Sequence, residues 1–370
     1  MNECIMVGID LHDATLVTQT AVGKEAPQEG RWENTPEGRR ALWEHLRRMK
    51  RRRGAGRAVL AYEASCQGFG LCDEAFDEGF ECHVLAPTRL AASSKSRKQK
   101  SDAKDALRLL DALRAHVPAG SELPRVWVPD PQTRQDREVV RMRLEVGQKL
   151  TSVKAQIQTL LKRHGLRRPS GTGRGWTGAF VAWLRGLCAP AGDLGCGAAQ
   201  ALGSLLRQRD WFEEEIARLD AAVARLSAAE RYAEPVAKIT EVKGAGLLTA
   251  MVYLTELGGL RRFANRREIA AYLGLAPASY ESGERDDRKG HITRQGPWRV
   301  RRALCQSAWT HLRFDEGERA AYERIAKKNA KHKKIALVAV MRRLAIRLWH
   351  IGRDAQAAHV RFPEPRPTPA

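Results

Sequence analysis

Four acidic residues early in the chain, Asp10, Glu63, Asp102 and Asp105, stand where the local pattern predicts a strand end or the first turn of a helix. Asp10 closes the apolar run Cys4-Ile5-Met6-Val7-Gly8-Ile9, and Glu63 closes Ala58-Val59-Leu60-Ala61-Tyr62. Asp102 and Asp105 open a helix at i,i+3 spacing, so both carboxylates face the same way. Mg²⁺ takes hard oxygen ligands, usually a few carboxylates together with phosphate oxygens of a substrate. The same chain has a formal net charge of +21, which draws it to polyanions through counterion release. Acids converging on a cation within so basic a chain fit phosphodiester chemistry on nucleic acid. A lone D-x-x-D is the ordinary opening of a solvated helix, where acids complement the macrodipole. Its meaning here comes from the combination with the two strand-end acids.

The elements that must position these acids are legible around them. Residues 6–10 read as a strand, 15–21 as its hairpin partner and 31–34 as a short third strand. Residues 36–49 have helical periodicity through Leu42, Leu46 and Met49, with Thr35 available as N-cap. A buried strand at 59–62, a helix at 68–78, a strand at 82–85 and a helix at 102–115 follow, the last with an apolar face of Ala106, Leu109, Leu110 and Leu113. A strand hairpin followed by alternating helices and strands suits a ribonuclease H-like α/β fold, in which sites form at strand ends. Residues 120–130 are a Pro-punctuated linker. Two long helices, at 131–165 and about 204–229, flank a Gly/Pro-rich insert near 167–200 and predict an antiparallel coiled-coil arm, to be read either as a route to dimerisation or as an ordinary helical hairpin packed on its own chain. The expected organisation is an α/β catalytic domain over 1–125, a helical coiled-coil region over 131–235, a mainly α domain over 236–350 and a tail over 351–370, Pro-rich and disordered at its end.

Length and composition set outer bounds. At 370 residues the chain can bury several cores. Its 7 cysteines form no C-x-x-C pair, so no zinc site of ordinary ligand spacing can be written, and reduced thiols in the cytosol are expected. No apolar stretch reaches membrane-spanning length and the N-terminus has no signal-like region, so a soluble cytoplasmic protein, nucleoid-associated when bound to DNA, is expected. His12, His83 and His291 have no partners at metal-ligand spacing and read as incidental, although His291, near Ser282 in sequence, could touch phosphate.

A second chemistry-bearing segment is Val242-Lys243-Gly244-Ala245-Gly246-Leu247, a G-x-G turn opening a helix, which either directs backbone N–H groups at a phosphate or is a plain tight turn. Leu273-Gly274-Leu275-Ala276-Pro277 and Tyr280-Glu281-Ser282-Gly283 follow, then a basic stretch. Candidate nucleic-acid contacts are Lys95, Arg97, Lys98 and Lys100 beside the acids, with Lys243, Gly244, Gly246, Arg294, Arg299, Arg301 and Arg302 in the later domain. Further cation runs lie at 47–53 and 327–334. Ser282 before Gly283 reads from its surroundings as a turn serine.

The order G-I-D, Y-E-A, K-x-D-x-x-D, then G-x-G-x-L-T-A, G-L-A-P and Y-x-S-G resembles the insertion-sequence 110 family of DEDD transposases, over both ends of the chain. It departs from the family pattern at Lys243, where Pro is common, and at Gly296-Pro297-Trp298, which replaces a Gly-Asn pattern. The resemblance implies a RuvC-like domain whose Asp10, Glu63, Asp102 and Asp105 bind Mg²⁺. It also implies a C-terminal transposase domain with Ser282 as nucleophile (Ser279 being the alternative), forming a phosphoserine link to DNA. Implied partners are donor and target DNA, a structured guide RNA encoded by the element, and further copies in a homodimer or homotetramer. Acids and serine fall in different domains, so a composite active site is expected. Two rival expectations remain: a RuvC-like nuclease or junction resolvase using metal-activated water, and a non-catalytic nucleic-acid-binding protein.

Overall fold

Strand parity organises the first part of the chain. In β1 (Cys4–Leu11), Ile5, Val7 and Ile9 point to one apolar cluster while Met6 points to another, and in β4 (Arg57–Glu63) Ala58, Leu60 and Tyr62 oppose Val59 and Ala61 in the same way. The period of two therefore puts Asp10 and Glu63 on the face of Met6, Gly8, Val59 and Ala61. With β2 (Thr15–Val22), β3 (Gln28–Glu33) and β5 (Glu81–Leu85) these strands form a 5-stranded mixed sheet in the order β3-β2-β1-β4-β5. β1, β4 and β5 run parallel, whereas β2 and β3 join antiparallel. The third strand begins earlier than the residues around Trp32 suggest, because its register carries Gln28 to a place opposite Thr20.

Helices cover both faces, as parallel strands require. α1 (Pro36–Arg53), capped as expected by Thr35, buries Leu42, Trp43 and Leu46 on one side, together with Leu71, Cys72 and Ala75 of α2 (Gly70–Asp77). The other side receives α3 (Asp102–His116) through Leu109, Leu110 and Leu113. A Cβ on Gly8 would lie 2.0 Å from the Ala106 carbonyl oxygen and 2.5 Å from the Leu110 nitrogen, so the missing side chain lets α3 rest directly on β1.

The computed structural model describes residues 3–90, 101–189, 192–279, 289–329 and 333–356. The chain forms two compact units, the first ending at Pro129 and the second beginning at Asp130. In the second, α4 (Pro131–Arg163) opens with Asp130 as N-cap and Pro131 at its first position. It pairs with α6 (Cys196–Ser227), with α5 (Gly178–Gly186) packed at one end through Phe180, Leu184 and their neighbours. Arg143 meets Asp220 at 2.6 Å and Lys154 meets Glu213 at 3.0 Å, so the pair is antiparallel. Both α5 and the first turns of α6 lie within the stretch whose glycines and prolines read as an insert.

α7 (Glu230–Thr240), α8 (Leu247–Leu257), α9 (Arg266–Tyr272), a two-stranded ribbon of β6 (Pro277–Ser279) and β7 (Lys289–Ile292), then α10 (Trp298–Phe314), α11 (Glu316–Lys328) and α12 (Lys334–Ala355) complete the unit. Their core gathers around Tyr253, Leu304 and Trp349. Arg137 and Arg141 of α4 reach the end of α8: Arg137 donates to the carbonyls of Thr255 (2.5 Å) and Glu256 (2.9 Å), and Arg141 pairs with the Glu256 carboxylate at 2.7 Å. Among the described residues no helix is long and apolar enough to cross a membrane.

Candidate metal centre and nucleic-acid contacts

Parallel pairing of β1 with β4 runs to Ile9 opposite Tyr62, so the next step along both strands brings Asp10 beside Glu63 at the sheet's C-terminal edge. α3 begins above that edge. Asp102 and Asp105 occupy its first turn, and Gly8 fixes how closely the helix approaches. All four acids are therefore placed by a strand end or a helix start, and no loop intervenes between a carboxylate and its supporting element.

His12 and Arg108 join them, two residues whose roles the linear pattern does not disclose. His12 Nε2 lies 3.0 Å from Asp10 Oδ2 and 3.5 Å from Asp102 Oδ1. The side-chain donors of Asp10, His12 and Asp102 all fall within 4.8 Å of one another, a spacing that could hold a metal ion. Arg108 pairs with Glu63 and lies 3.8 Å from Asp105. The signal for His12 is parity, since it continues the face of Asp10 two residues on. The signal for Arg108 is its i+3 position from Asp105 on α3.

Burial pushes the Asp10 carboxyl above its ordinary range; His12 opposes this, and the charges of Asp105 and Asp102 add to it. Crowded carboxylates, one of them desolvated, are the setting in which a divalent cation is most favourable. The donor set thus fits a hard cation, with His12 adding one nitrogen.

The basic candidates are placed more diversely. Lys95, Arg97, Lys98 and Lys100 lie outside the described residues, as does Ser282 in the segment joining β6 to β7; Ser279 ends β6. Lys243 and Arg294 are exposed. Arg299 pairs with Glu145 at 2.7 Å and lies over the Trp298 ring. Arg301 donates to the carbonyls of Leu273 (3.1 Å), Gln295 (2.7 Å) and Gly296 (3.2 Å), which ties the loop before α10 to the end of α9. Burial, and after it Arg294, lowers the Arg301 pKa. Arg302 sits half-buried on the next position of α10. In the G-x-G turn, a Cβ on Gly244 would meet the His311 nitrogen and the Ser307 carbonyl at 2.7 Å, and His311 Nδ1 donates to the Lys243 carbonyl at 2.7 Å. Gly244 is therefore explained by packing on α10. Gly246 has open space around it and immediately precedes α8, where no side chain caps the first N–H groups.

Comparison with known proteins agrees at both ends of the chain. Residues 7–165 match a family model described as Transposase and named for the DEDD transposases of IS110, and residues 236–323 match one described as Transposase IS116/IS110/IS902 family. A Sinorhizobium fredii protein that carries the transposase name y4qE is 27% identical over 380 aligned residues, 95% of this chain and 89% of its own length. A second from that organism, with the transposase name y4rJ, is 28% identical over 84% of this chain and 81% of its own. The transposase for insertion sequence element IS1111A of Coxiella burnetii is 28% identical over 88 residues, 24% of each chain.

Proposed function

We propose, from the premise that this chain belongs to the IS110 family of transposases, that it cuts and rejoins donor and target DNA by transesterification at Ser282. Asp10, Glu63, Asp102 and Asp105 would hold the divalent cation, Mg²⁺ in this reading. The observation that carries the proposal is the meeting of Asp10 and Asp102 with His12 within 4.8 Å, beside Asp105 on α3 and the end of β4, with Asp10 pushed upward by burial and by its acidic neighbours. When bound, the cation supplies Lewis acidity to the phosphate oxygens and eases ionisation of the attacking hydroxyl.

The chain's own groups have separable tasks. The acids would hold the cation, which would supply positive charge to the scissile phosphate; α3 and the two strand ends support their carboxylates at one edge of the sheet. Ser282 Oγ forms a bond to phosphorus as a phosphate–deoxyribose P–O bond breaks, its proton passing to a base or solvent and a strand hydroxyl leaving. A hydroxyl of an incoming strand then attacks the same phosphorus and regenerates the serine. One P–O bond is exchanged for another, so no nucleotide hydrolysis is needed. Exposed Lys243 and Arg294, with the cations at 95–100, supply backbone contacts that fix position without reading sequence. Sequence choice is assigned to an element-encoded structured RNA. The first unit is the RuvC-like, ribonuclease H-like part, α4 and α6 form a coiled-coil arm for assembly, and exchange of two strands calls for a dimer or tetramer acting in the cytoplasm on nucleoid DNA.

The test is a denaturing gel for a covalent protein–DNA adduct, with full-length protein, Mg²⁺, guide RNA and donor DNA. An adduct in wild type that is missing in Ser282→Ala and in Asp102→Ala is the expected result. Cleaved DNA without adduct, unchanged in Ser282→Ala, would move the reading to a hydrolytic nuclease. Binding without cleavage under any metal would move it to a non-catalytic binding protein.

A further inference from the structure

The acid cluster described above is shared between two basic side chains. His12 stands against Asp10 and Asp102, at 3.0 and 3.5 Å, while Arg108 stands against Glu63 and, at 3.8 Å, Asp105. Arg108 is 28% exposed, and its Nε, buried, has no hydrogen-bond partner. A guanidinium aimed at carboxylates usually forms a bidentate fork with every donor engaged. This one donates to Glu63 and reaches Asp105 through the same nitrogen, Nη2, and not as a fork, as expected of a group that can leave.

The electrostatics of that position are competitive. A carboxylate oxygen that accepts from a guanidinium turns a lone pair away from any metal on that side. A singly charged group a few ångströms from a doubly charged ion is repelled in a half-buried setting where screening is weak. Glu63 and Asp105 therefore cannot serve Arg108 and a divalent cation equally.

We propose that Arg108 is the resident counter-charge of the acid cluster and is displaced from Glu63 and Asp105 when a divalent cation loads. The inference rests on the reading of those acids as metal ligands. Displacement has two consequences. The site stays compact without metal, since Glu63 and Asp105 keep a counter-charge. The freed guanidinium, planar and permanently charged, becomes available to a phosphate entering the same edge of the sheet.

Titration calorimetry of the full-length protein with MnCl₂ and with MgCl₂ tests this, beside thermal unfolding in chelator and in excess metal. Arg108→Ala is expected to bind metal about tenfold more tightly than wild type, which corresponds to losing a modest competing interaction. It should also melt at lower temperature in chelator and recover when metal is added. Arg108→Lys, which keeps a positive charge, should bind metal close to the wild-type strength. Affinity in Arg108→Ala that is unchanged or weaker overturns the inference, because a merely structural ion pair predicts that pattern. Asp102→Asn separates the underlying reading: if wild type binds no metal, or if Asp102→Asn binds as well as wild type, the acids are not the metal site and both proposals fall together.

Discussion

Gly8 is the residue on which the geometry of the acid cluster turns. An added methyl would enter the backbone of α3 at 2.0 Å from the Ala106 carbonyl oxygen, and a helix backbone has nowhere to yield except by moving as a whole. Gly8→Ala is expected to destabilise the first unit by about 3 kcal/mol, the upper end of ordinary overpacking. Lifting α3 would also separate Asp102 and Asp105 from Asp10, so divalent-metal affinity should fall along with the denaturation midpoint. Circular dichroism in urea and metal titration read the two effects, and an unchanged midpoint would refute the close-approach account. The acids themselves are legible in the sequence because each terminates an apolar run or begins a periodic one. His12 and Arg108 are only half so: Asp10 and Asp105 are near them in sequence, but Asp102 and Glu63 lie on other elements, and a one-dimensional pattern carries no record of which strand end faces which helix. The cations of 294–302 fail to separate for the same reason. Nothing in the order of residues reveals that Arg301 is engaged by three backbone carbonyls whereas Arg294 is exposed.

At the level of elements, the start of α4 is held by one carboxylate. Asp130 accepts from the Thr133 backbone N–H at 3.0 Å and pairs with Arg231 of α7 at 3.2 Å, while Asp136, further along α4, accepts from the buried Tyr232 hydroxyl at 2.7 Å. Burial pulls the Asp130 carboxyl upward, but the hydrogen bonds from Thr133 and the Arg231 guanidinium outweigh it and hold the group below the usual carboxylate range. A carboxyl lowered by folding contributes stability that is complete above its unfolded pKa and is lost as pH falls through the folded one. Asp130→Asn should therefore cost about 1–2 kcal/mol near neutrality, as for a lost N-cap with an ion pair, and the deficit relative to wild type should shrink as the medium is acidified. Urea melts at neutral and acidic pH check this, and a deficit that grows on acidification would contradict the assignment. The long helices are legible through their apolar seams. α5 and the opening of α6 are not, since Gly178, Gly186, Gly197 and Gly203 read as loop chemistry. Packing of Phe180, Leu184, Leu202 and Leu206 into one cluster overrides that local preference.

At the scale of the whole molecule, each unit has its own core among the described residues, the first in the clusters around β1 and β4, the second in those around α4, α8 and α12. The five-strand sheet is legible from alternation, whereas the allegiance of α4 is not, because a helix's sequence shows that it has an apolar stripe but not which surface receives it. The matched family segment runs to residue 165, past the end of α4, while the packed unit ends at Pro129. Those two borders prescribe different outcomes for a chimaera built with a related transposase. A junction between 129 and 130 leaves α4 with its own α6 and α8, so both halves should melt as their parents do. A junction at 165 sets α4 of one parent against the α6 and α8 of the other, breaking the matched pairs Arg143–Asp220, Lys154–Glu213 and Arg141–Glu256, and the hybrid should unfold earlier in calorimetry. Equal melting of the two hybrids would mean that α4 is interchangeable. Unequal melting in the stated direction would mean that inheritance and packing divide this chain at different places, and that grafting should follow the packing.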